Sequence, residues 1–198
     1  QRGQGLVSAV RSSSGLRPGP LVPVEGVPQA KTKTHLLSMN IGRENNRIAG
    51  IAITGSEEAG SAVAKKAGEC LKKTVLELGG SDPYVIFDDA DIDLAVDACI
   101  AGRILNTGQS CIAAKRLIVT KSNEAEFIEK LKNKLSLKIM GDPLDDVDIG
   151  PMVSMSAREQ VNDQVQRTVE SGATLVAGGT IPDIEGSYYP LTILTGVK

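Results

Sequence analysis

The sequence predicts an α/β fold, and three observations carry that prediction. From Arg47 onward, short apolar runs rich in Val and Ile alternate with stretches whose apolar residues recur at helical spacing. Residues 48–78 read as strand, helix, strand, the unit from which parallel sheets are built. The chain has 198 residues, 41% hydrophobic and 23% charged, an ordinary balance for a soluble globular protein of one large or two small domains.

Residues 1–45 stand apart as a low-complexity or unrelated tail. Gly3, Gly5, Ser12-Ser13-Ser14-Gly15, Pro18-Gly19-Pro20, Pro23 and Pro28 interrupt any periodicity, and the chain opens on Gln1 without a signal-peptide pattern. This start suggests a fragment or a processed chain.

The run Ile48-Ala49-Gly50-Ile51-Ala52-Ile53 suits a buried strand. Ser56 is placed to cap a helix, Glu57 and Glu58 suit its dipole, and Ala59, Val63 and Ala67 form a narrow stripe that Gly68 ends. Lys73–Leu78 is the returning strand, closed by Gly79-Gly80. Pro83–Phe87 is a further strand. Asp88-Asp89-Ala90-Asp91 opens a helix that runs to about Leu105, with Ile92, Ala95, Val96, Cys99, Ile100 and Ile104 inward. Arg116–Thr120 is a strand. A capping box at Asn123 and Glu126 starts a helix to about Leu137, which buries Phe127, Ile128, Leu131 and Leu135. Turns at Gly141-Asp142-Pro143 and Ile149-Gly150-Pro151 flank an acidic loop. A second capping box, Ser156 and Glu159, starts a helix carrying Val161, Val165 and Val169. Thr174–Ala177 is a strand, Gly178-Gly179 a turn, and Leu191–Leu194 extended.

Composition narrows the function classes. A net charge of −2 gives no reason to expect nucleic acid or an anionic membrane as partner, and 3% aromatic residues without Trp disfavour a base-stacking platform. No apolar run reaches the length of a bilayer span. Three cysteines (Cys70, Cys99 and Cys111) favour reduced thiols in a cytoplasmic setting. The one histidine, His35, lies in the tail, so neither a Cys-His pair nor a histidine-based metal site is supported. The acids at 88–93 do not make a calcium loop either. Counted from Asp89, Leu94 and Ile100 occupy the places that need Gly and Glu.

Four places remain as candidates for chemistry. Cys111 sits in Asn106-Thr107-Gly108-Gln109-Ser110-Cys111, a small-residue loop between a helix and a strand. It reads as a nucleophile or as an inert thiol. The Gly55–Gly60 segment is a strand-to-helix turn whose free backbone N–H groups suit a phosphate, although most such turns are only turns and Glu57 and Glu58 oppose an anion. Glu77, at a strand end before two glycines, is a general base if partly buried; a surface ion pair is the plainer reading. Lys115-Arg116 stays unassigned between an anion site and a solvated strand start.

Together these motifs resemble the aldehyde dehydrogenase superfamily. The residues that carry the resemblance are Ile53–Gly60, Leu76-Glu77-Leu78-Gly79-Gly80-Ser81-Asp82-Pro83 and Asn106–Cys111. Asp88–Asp91, Gly141-Asp142-Pro143, Ile149–Met152 and Tyr188–Thr192 follow in the same order. From about Asn46 to Lys198 the texture is most like bacterial succinate-semialdehyde dehydrogenases. The resemblance implies the end of a Rossmann-like dinucleotide domain over 46–76 and an incomplete catalytic α/β domain over 77–198. It implies Cys111 as nucleophile, Glu77 as general base, and cofactor contacts at Gly55, Ser56, Gly60 and Leu78. It also implies NAD or NADP as cofactor, no metal, a small aldehyde as substrate, and a homo-oligomer for the full-length parent. In this chemistry a Cys111 thiohemiacetal becomes a thioester that Glu77-activated water hydrolyses.

Family landmarks expected before Asn46 (an oxyanion-hole asparagine and a ribose-side lysine) do not show in residues 1–45, and others fall after Lys198. The expectation is therefore an internal piece that keeps the nucleophile and base. The alternative to an active oxidiser is an inactive fragment with at most a binding role.

Overall fold

A computed structural model of the chain describes residues 7–11 and 48–197. The rest of the tail, with His35, lies outside the described residues. Two compact units divide between Gly79 and Gly80.

The first unit is built on a sheet of order β1-β2-β3. Its strands are β1 (Val7–Arg11), β2 (Ile48–Thr54) and β3 (Lys73–Glu77). β2 and β3 are parallel, Thr54 standing opposite Glu77. Helix α1 (Glu57–Glu69) joins them, as the strand–helix–strand pattern predicts. Ile51 and Ile53 project from β2 into a core with Val63 and Ala67, and Ala59 packs at its edge. The small-residue stripe lets the helix lie close to the sheet. Gly68 does not end the helix: Cys70 is its C-cap, and Leu71 takes the left-handed conformation beyond it. Within the tail, β1 (Val7–Arg11) pairs antiparallel with β2. Its Val-Ser-Ala-Val run has strand character that the surrounding Gly and Ser obscure.

The second unit contains the parallel pair β4 (Pro83–Ile86) and β5 (Arg116–Val119). Helices α2 (Ile92–Ile104) and α3 (Glu124–Leu135) pack with it. Ile86, Val96, Cys99, Ile100, Phe127, Leu131 and Ile193 form the core, the stripes that helical spacing predicts plus one residue each from β4 and the last strand. Helix α4 (Met155–Glu170) is followed by the antiparallel pair β6 (Thr174–Ala177) and β7 (Ile193–Thr195).

Three helix starts differ from their sequence readings. α2 begins at Ile92, and Asp91 is its cap, accepting from the Leu94 N–H at 3.0 Å. Asn123 makes no capping bond. Its Nδ2 donates to the Phe87 and Asp88 carbonyls at 2.9 and 3.3 Å, so a tertiary tie replaces the predicted box. The cap of α4 is Ser154, whose Oγ accepts from Ala157 at 3.1 Å, and Glu159 pairs with Arg158 instead of closing a box with Ser156.

Candidate active site

In the first unit, the turn from β2 into α1 brings five of the predicted residues together. Ser56 Oγ accepts from the Ala59 N–H at 3.2 Å, and its carbonyl accepts from the Gly60 N–H at 2.9 Å. The Gly55 N–H donates to the Glu77 carbonyl at 3.0 Å, which ties the turn to the end of β3. Gly60 is buried against Leu78: a Cβ there would come within 2.5 Å of Leu78 Cδ2. Gly55, Ser56, Gly60, Glu77 and Leu78 therefore form one local cluster beside a helix N-terminus, where backbone N–H groups lack intrahelical partners. Glu77 itself is exposed, so the partial burial that the base argument asks for is not found at this side chain.

Cys111 belongs to the second unit. After α2 the chain makes a 3-10 turn over Leu105–Gly108, and three successive residues are left-handed: Asn106 at φ 50°, Thr107 at φ 56° and Gly108 at φ 71°. Two of these carry side chains, which costs roughly 1–2 kcal/mol each unless neighbours compensate. The turn is held on several sides. Arg103 Nη1 donates to the Gly108 carbonyl at 3.1 Å. Gln109 Oε1 accepts from the Val153 N–H at 2.8 Å. The Ala114 N–H donates to the Gly102 carbonyl at 3.1 Å, and Ala113 and Ala114 are buried. Between these anchors the Cys111 thiol is exposed, whereas Cys99 is buried and its thiol is pushed up by desolvation. Exposure is what a nucleophile requires, and it removes the core-packing reading of Cys111.

Gly80 lies against this loop, since a Cβ on it would stand 3.0 Å from the Cys111 carbonyl oxygen. Lys115 Nζ donates to the Gly80 carbonyl, and Arg116 Nε donates to that of Ser81 at 2.8 Å. These two cations, unassigned from sequence, fasten residues 80–81 beside the loop. Sequence reasoning also missed Arg103 and Gln109. A basic residue in the last turn of a helix is an ordinary dipole match, and nothing in its spacing shows that it turns back on Gly108.

The chain matches the model of the aldehyde dehydrogenase family over residues 34–198. That match begins before Asn46, where the motifs start. Among curated relatives, the NADP(+) succinate-semialdehyde dehydrogenase of Mycobacterium leprae is 44% identical over 177 residues, 87% of this chain and 38% of the relative. The NAD(P)+ succinate semialdehyde dehydrogenase of Escherichia coli is 44% identical over 155 residues, 78% of this chain and 34% of the relative. The chain thus spans a little over a third of the length of these relatives. A crystal structure of succinic semialdehyde dehydrogenase from Streptococcus pyogenes in complex with NADP+ superposes with TM-score 0.79 at 37% identity, covering 83% of this chain and 36% of that one. A salicylaldehyde dehydrogenase from Pseudomonas putida complexed with salicylaldehyde gives TM-score 0.80 at 37% identity, covering 86% and 34%. With an exposed cysteine on a braced loop, a glycine turn tied to Glu77, and a family match over most of its length, the chain belongs to the aldehyde dehydrogenase family.

Proposed function

We propose that the chain carries the nucleophile and the base of an NAD(P)-dependent oxidation of a small aldehyde, of the succinate-semialdehyde kind, to its acid. The observation that supports this best is the exposed thiol of Cys111 on a loop braced from both sides. The relatives' names supply the substrate class and the cofactor. In this reading residues 46–76 close a dinucleotide-binding domain and residues 77–198 form the catalytic domain. The setting is cytoplasmic, and the full-length parent assembles with copies of itself.

The Cys111 thiolate attacks the aldehyde carbon and forms a thiohemiacetal, whose oxyanion is held by backbone N–H groups of the loop. The first unit's cluster fits a dinucleotide: Gly55 and Gly60 keep the backbone free of side chains, Ser56 opens the helix, and the exposed Glu57 and Glu58 can turn to solvent. Gly55, Ser56, Gly60 and Leu78 would hold its pyrophosphate side. The nicotinamide, when bound, supplies the hydride acceptor for passage from thiohemiacetal to thioester. Glu77 then takes a proton from water, which attacks the thioester carbonyl and releases acid and free thiol.

The purified chain is to be assayed for NADH or NADPH formation with succinate semialdehyde, with Cys111→Ala and Glu77→Gln as controls. Turnover lost in Cys111→Ala and reduced about 100-fold or more in Glu77→Gln supports the reading. No turnover alongside ready alkylation of Cys111 overturns it for this chain. That result favours a chain that retains the nucleophile without activity and has at most a binding role.

A further inference from the structure

We propose that Arg103 is a positioning residue for Cys111, fixing the left-handed turn through the Gly108 carbonyl and, with Lys115, setting two cations on the backbone around the loop that carries the thiol. The inference rests on Cys111 being the nucleophile.

Arg103 leaves the last turn of α2 and comes back over the turn that follows. Its Nη1 lies 3.1 Å from the Gly108 carbonyl, and a Cβ on Gly108 would stand 2.7 Å from that same nitrogen. The guanidinium is half-buried, and no ion pair among the described residues includes it. A half-buried cation without a carboxylate carries a desolvation cost, and its pKa is held down by that burial. Such a group is retained where its hydrogen bond organises something. Here it organises the carbonyl that ends a run of three left-handed residues. A charge-assisted bond to this carbonyl offsets part of the backbone strain.

Lys115 continues the arrangement at Gly80. Its Nζ donates to the Gly80 carbonyl, and Gly80 touches the Cys111 carbonyl. Its ammonium is pushed down mainly by burial and next by the Arg103 charge, while Cys111 and Asp82 act in the opposite direction. Lys115 is thus within electrostatic reach of both Arg103 and Cys111. The two cations each grip a backbone carbonyl flanking the cysteine, so geometry and charge are set together.

Two readouts on the 198-residue chain test this. The first is hydrogen exchange over residues 105–112. The second is the ratio of Cys111 alkylation rates with iodoacetate and iodoacetamide at one pH, in which any change of thiolate fraction cancels. Arg103→Met is expected to speed loop exchange about tenfold while α3 is unchanged. It should also lower the anionic-to-neutral ratio about twofold at low salt, with Cys70 in the other unit as internal control. Arg103→Lys should restore the ratio, because it keeps the charge. General loosening alters both reagents alike and does not move the ratio. Unchanged loop exchange or an unchanged ratio in Arg103→Met overturns the proposal. If that variant does not fold, shown by labelling of Cys99, Lys115→Met is used: a lowered ratio supports the proposal and an unchanged one overturns it. Neither readout needs turnover, so this inference and the proposed oxidation fail separately.

Discussion

Gly178 shows how much a single position decides. Its φ is 70°, and a Cβ on it would come within 2.2 Å of the Leu191 carbonyl oxygen, a backbone atom that has no rotamer to change. Gly178→Ala therefore adds a left-handed penalty to an overpacked contact and should cost about 2–4 kcal/mol, read as a lower urea midpoint. The three thiols form a second residue-scale contrast. Cys111 is exposed, Cys70 intermediate and Cys99 buried, with the Cys99 thiol pushed up by desolvation. Under native conditions an alkylating reagent should modify Cys111 first and Cys99 only on unfolding. Equal rates for Cys99 and Cys111 in peptide mass mapping would contradict this placement. The burial of Cys99 followed from its neighbours in sequence, since it shares a helical stripe with Val96 and Ile100, whereas the Gly and Ser around Cys111 left both a nucleophile and an inert thiol open. The tertiary grips of Arg103, Gln109 and Lys115 were not legible, because each reaches a carbonyl or amide that only folding brings near.

At the scale of elements, the stripes were readable and the ends were not. Val63 with Ala67, Val96 with Ile100, and Phe127 with Leu131 all recur at spacings of four and are buried as that spacing requires. Caps depend on competition for one side chain. Asn123 has the right chemistry for a box but is taken by the Phe87 and Asp88 carbonyls, and Ser156 yields to Ser154 two residues earlier. The acidic loop before α4 is organised by Asp148, which accepts from Lys138 Nζ at 2.7 Å and from the Ile139 N–H at 2.9 Å. The Lys138 hydrogen bond first, and the Ile139 amide second, hold its carboxyl below the usual carboxylate range. A carboxyl lowered on folding contributes stability above its unfolded pKa of about 3.9, and that contribution is lost as pH falls through the folded value. Thermal unfolding followed from pH 7 down to pH 3 should show the midpoint declining below about pH 4, and Asp148→Asn should flatten part of that decline. A variant curve parallel to the parent's would remove Asp148 from the account.

At the scale of the whole molecule, the apolar residues exceed what the two cores use. In the second unit, Tyr84 and Ile86 alternate with Val85 along β4, and Leu117 and Val119 alternate with Ile118 along β5. One face enters the core. The other places Val85 directly opposite Ile118 in the parallel register, both 49% exposed, with Phe87 at 65% just beyond. In the first unit Val75 and Leu76 on β3 are also exposed. Parallel strands normally have both faces covered, which is why they read as unbroken apolar runs in sequence. The β-branched pair at 85 and 118 has that composition, and both side chains are half exposed among the described residues of this unit. Adjacent exposed apolar side chains on a sheet favour association, since burial of such a patch releases roughly 25 cal/mol per Å². The chain should therefore self-associate as its concentration rises, and Val85→Lys with Ile118→Lys should shift sedimentation toward the monomer. Those substitutions lie on the uncovered face, so the packing of Ile86, Val96 and Phe127, and with it the thermal midpoint, should change little. A parent chain that stays monomeric at every concentration, or a double variant that associates as strongly, would show that this face does not drive association.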